Sequence, residues 1–94
     1  MPIAIITGAS RGLGLALAKE LASRDWALVI DARGGEELRR AAADLSAMTP
    51  VVSLPGDVAD ERHRRALVSA AGDHIDLLVN NASVLGPSPQ PGLA

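Results

Sequence analysis

A chain of 94 residues that is 48% apolar, carries a formal net charge of -2 and contains no cysteine has material for one globular domain and no disulfide framework. It has no long uncharged apolar run to cross a membrane, and it opens without the basic flank, apolar stretch and cleavage site of a signal peptide, so the cytoplasm is its expected compartment. The arginines are scattered among acids, which excludes the basic stripe of a nucleic-acid surface.

In chain order, the first apolar run is "IAIIT" (Ile3 to Thr7), β-branched and short, as in a strand buried on both faces. A helical pattern follows, with Leu13, Leu17 and Leu21 at four-residue spacing. Beside them, Gly14, Ala18 and Ala22 form a stripe of small residues that lets a helix approach a sheet closely. The second strand is "ALVID" (Ala27 to Asp31). A second helix, Glu36 to Met48, has Glu36 and Glu37 in its first turn and Arg39 and Arg40 behind them, an order that suits the helix dipole and allows a Glu36–Arg40 pair. "VVSL" (Val51 to Leu54) is the third strand, bounded by "TP" and "PGD". The third helix starts at Asp60, a good N-cap, and ends near Gly72. "DLLVN" (Asp76 to Asn80) is the fourth strand, and the tail "GPSPQPGLA" is the one biased segment. Trp26 is the single aromatic residue, so the core is aliphatic and no tyrosine can act as acid or base. Lys19 is the only lysine.

Strand and helix alternating from end to end predict an α/β fold, a doubly wound parallel sheet of Rossmann type in the pattern βαβαβαβ. Right-handed crossovers and a return of the fourth strand to the side of the first give the order 3-2-1-4. The order reverses at the carboxyl ends of strands one and four, where a ligand crevice opens and where "TGASRGLG" (Thr7 to Gly14) and "NNAS" (Asn80 to Ser83) both fall. Backbone N–H groups at a helix start are unsatisfied and partly positive, and glycines let a pyrophosphate reach them. Gly8 is expected to make the turn, Gly12 to allow the close approach and Gly14 to let the helix pack on the sheet. Glycine makes up about 7% of residues in general, so three at these offsets between a strand and a helix are unlikely to fall there by chance.

Thr7-Gly8-x-x-x-Gly12-x-Gly14 resembles the TGxxxGxG cofactor loop of the short-chain dehydrogenases/reductases. Two further matches follow in order: "GDV" (Gly56 to Val58) is similar to the segment after the family's third strand, and "NNAS" to its NNAG after the fourth. The resemblance covers essentially the whole chain. It implies cofactor contacts from Thr7, Gly8, Ser10, Arg11, Gly12, Leu13 and Gly14 in the loop. Asp57 is then expected to accept from the adenine amino group and Val58 to line the ring pocket. Asn80, Asn81 and Ala82 are expected to face the cofactor ribose side. A capping or turn role for Asp57 is the alternative. Ser83 stands where the family has glycine.

Cofactor choice turns on the end of the second strand, where an acid suits NAD and cations suit the 2′-phosphate of NADP. The resemblance puts Ala32 at the discriminating position, with Asp31 one residue early, pointing the other way along the strand, and Arg33 one residue late. Arg33 and Arg11 are then free to form charge-assisted contacts with a phosphate, which favours NADP over NAD.

His63 and His74 have no partner at metal-ligand spacing and are expected to be exposed, His63 within the solvated face "DERHRR". Pro87, Pro89 and Pro91 are expected to stiffen the loop leaving the fourth strand. Members of the resembled family move hydride between nicotinamide and a carbonyl/alcohol pair, using a Tyr, a Lys four residues later and a Ser, all beyond the matched segment. Residues 1–94 therefore read as a partial NAD(P)-binding domain that stops before the catalytic segment of an oxidoreductase, one implied to be a homo-oligomer when complete. A stand-alone nucleotide-binding module without turnover is the alternative. A flavodoxin-like FMN binder matches the loop spacing less well.

Overall fold

The structure, a computed structural model, describes residues 1–82. Seven elements follow one another: β1 (Ile3–Ile6), α1 (Gly12–Ser23), β2 (Ala27–Ala32), α2 (Gly35–Ser46), β3 (Val51–Pro55), α3 (Glu61–Ala71) and β4 (Leu77–Val79). The strands form one parallel sheet in the order β3-β2-β1-β4, the expected Rossmann-type arrangement. Ile5 lies opposite Val29 on one side and Leu78 on the other, so β1 and β2 occupy the centre of the sheet.

The period of two along a strand divides the core. Ala4, Ile6, Leu28, Ile30 and Ala32 face α1 and α2, where Ala18, Leu21, Ala22, Leu38 and Leu45 meet them. Ile5 and Val29 face the opposite way, onto Leu67 and Ala71 of α3. Fully burying a Leu or Ile side chain contributes roughly 1.5–3 kcal/mol, and Ile5, Ile6, Leu28, Ile30, Leu38 and Leu45 are all within 2% of full burial.

Two expectations about helix faces need correction. In α1 the residues seated deepest are Gly14, Ala18, Leu21 and Ala22, while Leu13 is 74% exposed and Leu17 only partly covered. The small residues bring the helix axis close to the sheet, and that tilts the start of the leucine ridge out to solvent. In α3, His63 is buried at 9% exposure, so "DERHRR" is not a wholly solvated face. His63, Leu67 and Ala71 recur every four residues and share the inward stripe.

The ends of α3 behave as read. The Asp60 carboxylate accepts from the Arg62 N–H at 2.9 Å, and Gly72 closes the helix at φ 85°. Glu36 pairs with Arg40 at 3.7 Å on α2. Ser83 and Pro87, Pro89 and Pro91, for which expectations were stated, lie outside the described residues.

Leu45→Ala should lower stability by about 2–5 kcal/mol in urea unfolding, because it opens a void in a closed core. Leu13→Ala should change it by no more than about 0.5 kcal/mol.

Candidate functional site

The site grows from the turn between β1 and α1. Gly8 and Gly12 both take positive φ, 64° and 62°, a conformation that side-chain-bearing residues rarely adopt. Around Gly12 there is open space, whereas a Cβ at Gly14 would collide with the Gly8 carbonyl oxygen and the Asn81 amide nitrogen. Gly14 is therefore required for packing against the turn and the exit of β4, closer to the site than the sheet contact expected of it. Arg11 stands at the N-cap of α1 in extended conformation without capping the helix through its side chain, and no acid occupies the first turn. The N–H groups there keep their partial positive charge.

Asp31 supports this turn from below. Its Oδ1 accepts the Gly8 N–H at 2.8 Å, its backbone carbonyl accepts the Ala9 N–H at 2.9 Å, and its Oδ2 lies 2.7 Å from His63 Nε2. An ionised carboxylate only accepts, so Nε2 carries the proton in that bond. The two side chains are almost sealed from water, at 1% and 8% exposure.

Thr7 ties β1 to the end of β4. Its hydroxyl oxygen accepts the N–H groups of Asn81 and Ala82, each at 2.9 Å, and Asn81 Nδ2 donates to the Gly8 carbonyl at 3.0 Å. Asn80 Oδ1 accepts from the Thr7 hydroxyl at 3.4 Å, and the residue joins Thr7, Val58 and Leu78 around a separate cavity of about 130 Å³. Arg64 holds the exit of β3, donating to the Val58 carbonyl at 2.6 Å.

Above these supports lies a cleft of about 400 Å³. It is walled by Gly8, Ser10 and Arg11 of the turn, Asp31, Ala32, Arg33, Gly34 and Glu37 at and after β2, Gly56 and Val58 after β3, and Asn81 and Ala82 after β4. Of the residues expected from sequence, Gly8, Ser10, Arg11, Arg33, Val58, Asn81 and Ala82 thus meet on one concavity. Thr7, Gly12, Leu13, Gly14, Asp57 and Asn80 lie outside its walls, Thr7 and Gly14 as supports of the turn. Asp57 Oδ1 accepts the Ala59 N–H at 2.9 Å and sits 3.5 Å from Arg33 Nη2. Glu37 comes within 4.0 Å of Arg11 Nη1. Both ion pairs are about half exposed or more, so each contributes only ~0–1 kcal/mol and yields readily to a more highly charged partner.

Asp31, Ala32, Gly34, Glu37 and Gly56 of the walls, and His63 behind them, are the residues of the site that sequence reasoning did not assign as cofactor contacts. For His63 the signal was available in its four-residue spacing from Leu67 and Ala71. Gly56 was flagged only as part of "GDV", and its need for a bare Cα comes from the imidazole of His63 lying over it, which the sequence does not show.

The family model for the short chain dehydrogenases matches residues 2–93. This chain belongs to that family. It is 38% identical over 92 residues to 1-deoxy-11-beta-hydroxypentalenate dehydrogenase of Streptomyces exfoliatus, a match covering 94% of this chain and 34% of that protein. Among solved structures, L-sorbose reductase from Gluconobacter frateurii complexed with NADPH and L-sorbose superposes with a TM-score of 0.81 at 32% identity, over 98% of this chain and 36% of the other. The Pseudomonas aeruginosa RhlG/NADP active-site complex gives 0.76 at 33% identity, over 86% and 34%. The chain spans about a third of the length of these relatives. The cleft lies on the carboxyl side of β1 and β2. No helix among the described residues is long and apolar enough to cross a membrane.

Thr7→Val should destabilise the fold by about 1–3 kcal/mol in chemical unfolding, since two N–H groups lose their acceptor. Thr7→Ser, which restores the oxygen, should recover most of that loss.

Proposed function

We propose that these 94 residues form the NADP(H)-binding part of a dehydrogenase/reductase that moves hydride between a nicotinamide and a carbonyl/alcohol pair. The observation that carries this reading is the division of charge at the end of β2. Arg33 and Arg11 line one cleft, while Asp31, the acid nearest a ribose-recognising position, already has both carboxylate oxygens in hydrogen bonds. A 2′-phosphate is doubly charged and meets two guanidiniums, which bind such oxygens bidentately and release the weakly held Asp57 and Glu37 in exchange. NAD, with a neutral 2′-hydroxyl there, gains no charge pairing from either arginine, and both oxygens of Asp31 are already engaged by the Gly8 N–H and His63.

The site fits the group on further grounds. Positive φ at Gly8 and Gly12 and the uncapped start of α1 present backbone N–H groups to a pyrophosphate, and Gly12 leaves open space over them. Val58 offers an apolar wall for the adenine, with Asp57 beside it. The relatives lend support: one superposed reductase is complexed with NADPH and another with NADP. When bound, NADPH supplies a hydride and these residues hold its adenosine phosphate end. The proton donor is expected outside residues 1–94, which contain no tyrosine and, in Lys19, a single lysine on α1. A stand-alone nucleotide-binding module remains the second reading, resting on that same lack of tyrosine. Extending the sequence past Ala94 in search of Tyr-x-x-x-Lys separates the two.

Arg33→Ala should lower NADPH affinity about tenfold or more, the loss of a charge-assisted contact of roughly 1.5–3 kcal/mol, and leave NADH binding nearly unchanged. Fluorescence titration of the reduced nicotinamide measures both, and equal losses would overturn the assignment. Gly12→Val should weaken both cofactors, because a β-branched residue is strained at φ 62° and covers the pyrophosphate approach. The 94-residue chain itself should bind cofactor without detectable carbonyl reduction, since proton transfer help alone is typically worth ~100- to 10,000-fold in rate.

A further inference from the structure

On the reading that the cleft takes a nicotinamide dinucleotide, we propose that His63 is a positioning residue for the cofactor's pyrophosphate, acting through Asp31 on the turn at Gly8. His63 belongs to α3, on the face of the sheet opposite α1 and α2, and does not itself wall the cleft. Its Nε2 holds Asp31 Oδ2 at 2.7 Å, and Asp31 in turn holds two consecutive residues of the turn, Gly8 by its carboxylate and Ala9 by its backbone carbonyl.

The ring is fixed from its other side as well. A Cβ on Gly56 would collide with Nδ1, Cε1 and Cγ of the imidazole, so β3 exits directly against it on the way to Val58, which does line the cleft. One imidazole thus sets the relative positions of the β1–α1 turn, the end of β2 and the exit of β3. A carboxylate buried to 1% exposure needs its donors. Without His63, Asp31 Oδ2 loses its donor, the carboxylate is free to rotate, and the Gly8 N–H loses the anchor that shapes the turn. The pyrophosphate is common to both nicotinamide cofactors, so the effect falls on both alike, unlike the 2′-phosphate effect of Arg33.

The test uses the 94-residue chain, titrated with NADPH and with NADH, and thermal unfolding of each variant confirms that it is folded at the titration temperature. His63→Leu should weaken both cofactors about tenfold or more. His63→Gln, which keeps an N–H donor towards Asp31, should bind both within about threefold of the unsubstituted chain. A folded His63→Leu chain that binds both within about threefold overturns the proposal, as does a loss confined to NADPH. If His63→Leu does not fold, His63→Asn decides, because it keeps a polar side chain off the cleft wall but ends short of Asp31 Oδ2. A loss for both cofactors of about threefold or more supports the proposal and a smaller one overturns it. An unsubstituted chain that prefers NADH removes the NADP reading and leaves the His63 proposal to these same ratios. One that binds neither cofactor removes both.

Discussion

The buried carboxylate of Asp31 is the constraint around which the candidate site is arranged. Burying a charge is costly unless its oxygens are bonded, and here the partners come from the β1–α1 turn and from α3. That requirement joins elements from both faces of the sheet. The backbone carbonyl of the same residue adds the Ala9 N–H, so the turn is anchored at two successive amides. A glycine turn held this way is preorganised for an anion, with little left to order when one arrives.

The rest of the site follows from similar sharing of polar groups. Thr7 satisfies two amides at the exit of β4, and Asn81 reaches back to the carbonyl of Gly8, so β4 is bound to the turn as well as to β1. Gly14 and Gly56 mark the two places where a neighbour, Gly8 in one case and His63 in the other, occupies the volume a side chain would need. Over this framework the paired charge is peripheral: Arg11 with Glu37 and Arg33 with Asp57 are exposed pairs that hold each other weakly. Rigid support below and exchangeable ion pairs above suit a ligand whose phosphates are gripped by backbone and selected by side chains.

Much of this was legible from local pattern. The four apolar β-branched runs, the Asp60 cap, the Gly72 stop and the alternation of strand with helix are properties of neighbouring residues, and they led to the strand order 3-2-1-4 through chirality and connection rules. The loop Thr7 to Gly14 announced itself because glycine spacing reports backbone conformation directly. Leu13 was misjudged because spacing alone does not say which of two adjacent stripes on α1 lies nearer the sheet. Small residues let the helix settle towards them and left Leu13 in solvent.

His63 illustrates the other limit. Its neighbours Asp60, Glu61, Arg62, Arg64 and Arg65 are charged and exposed, so composition points outward, while its turn of the helix points inward with Leu67 and Ala71. Its partner Asp31 is 32 residues away. The sequence by itself determined the elements, their order in the sheet and the glycine turn, because these depend on residues close in the chain and on general rules of handedness. Only the tertiary structure decided which acid is consumed in the interior, which arginines share a cleft and why Gly56 carries no side chain. Those outcomes depend on contacts between residues that no local spacing brings together.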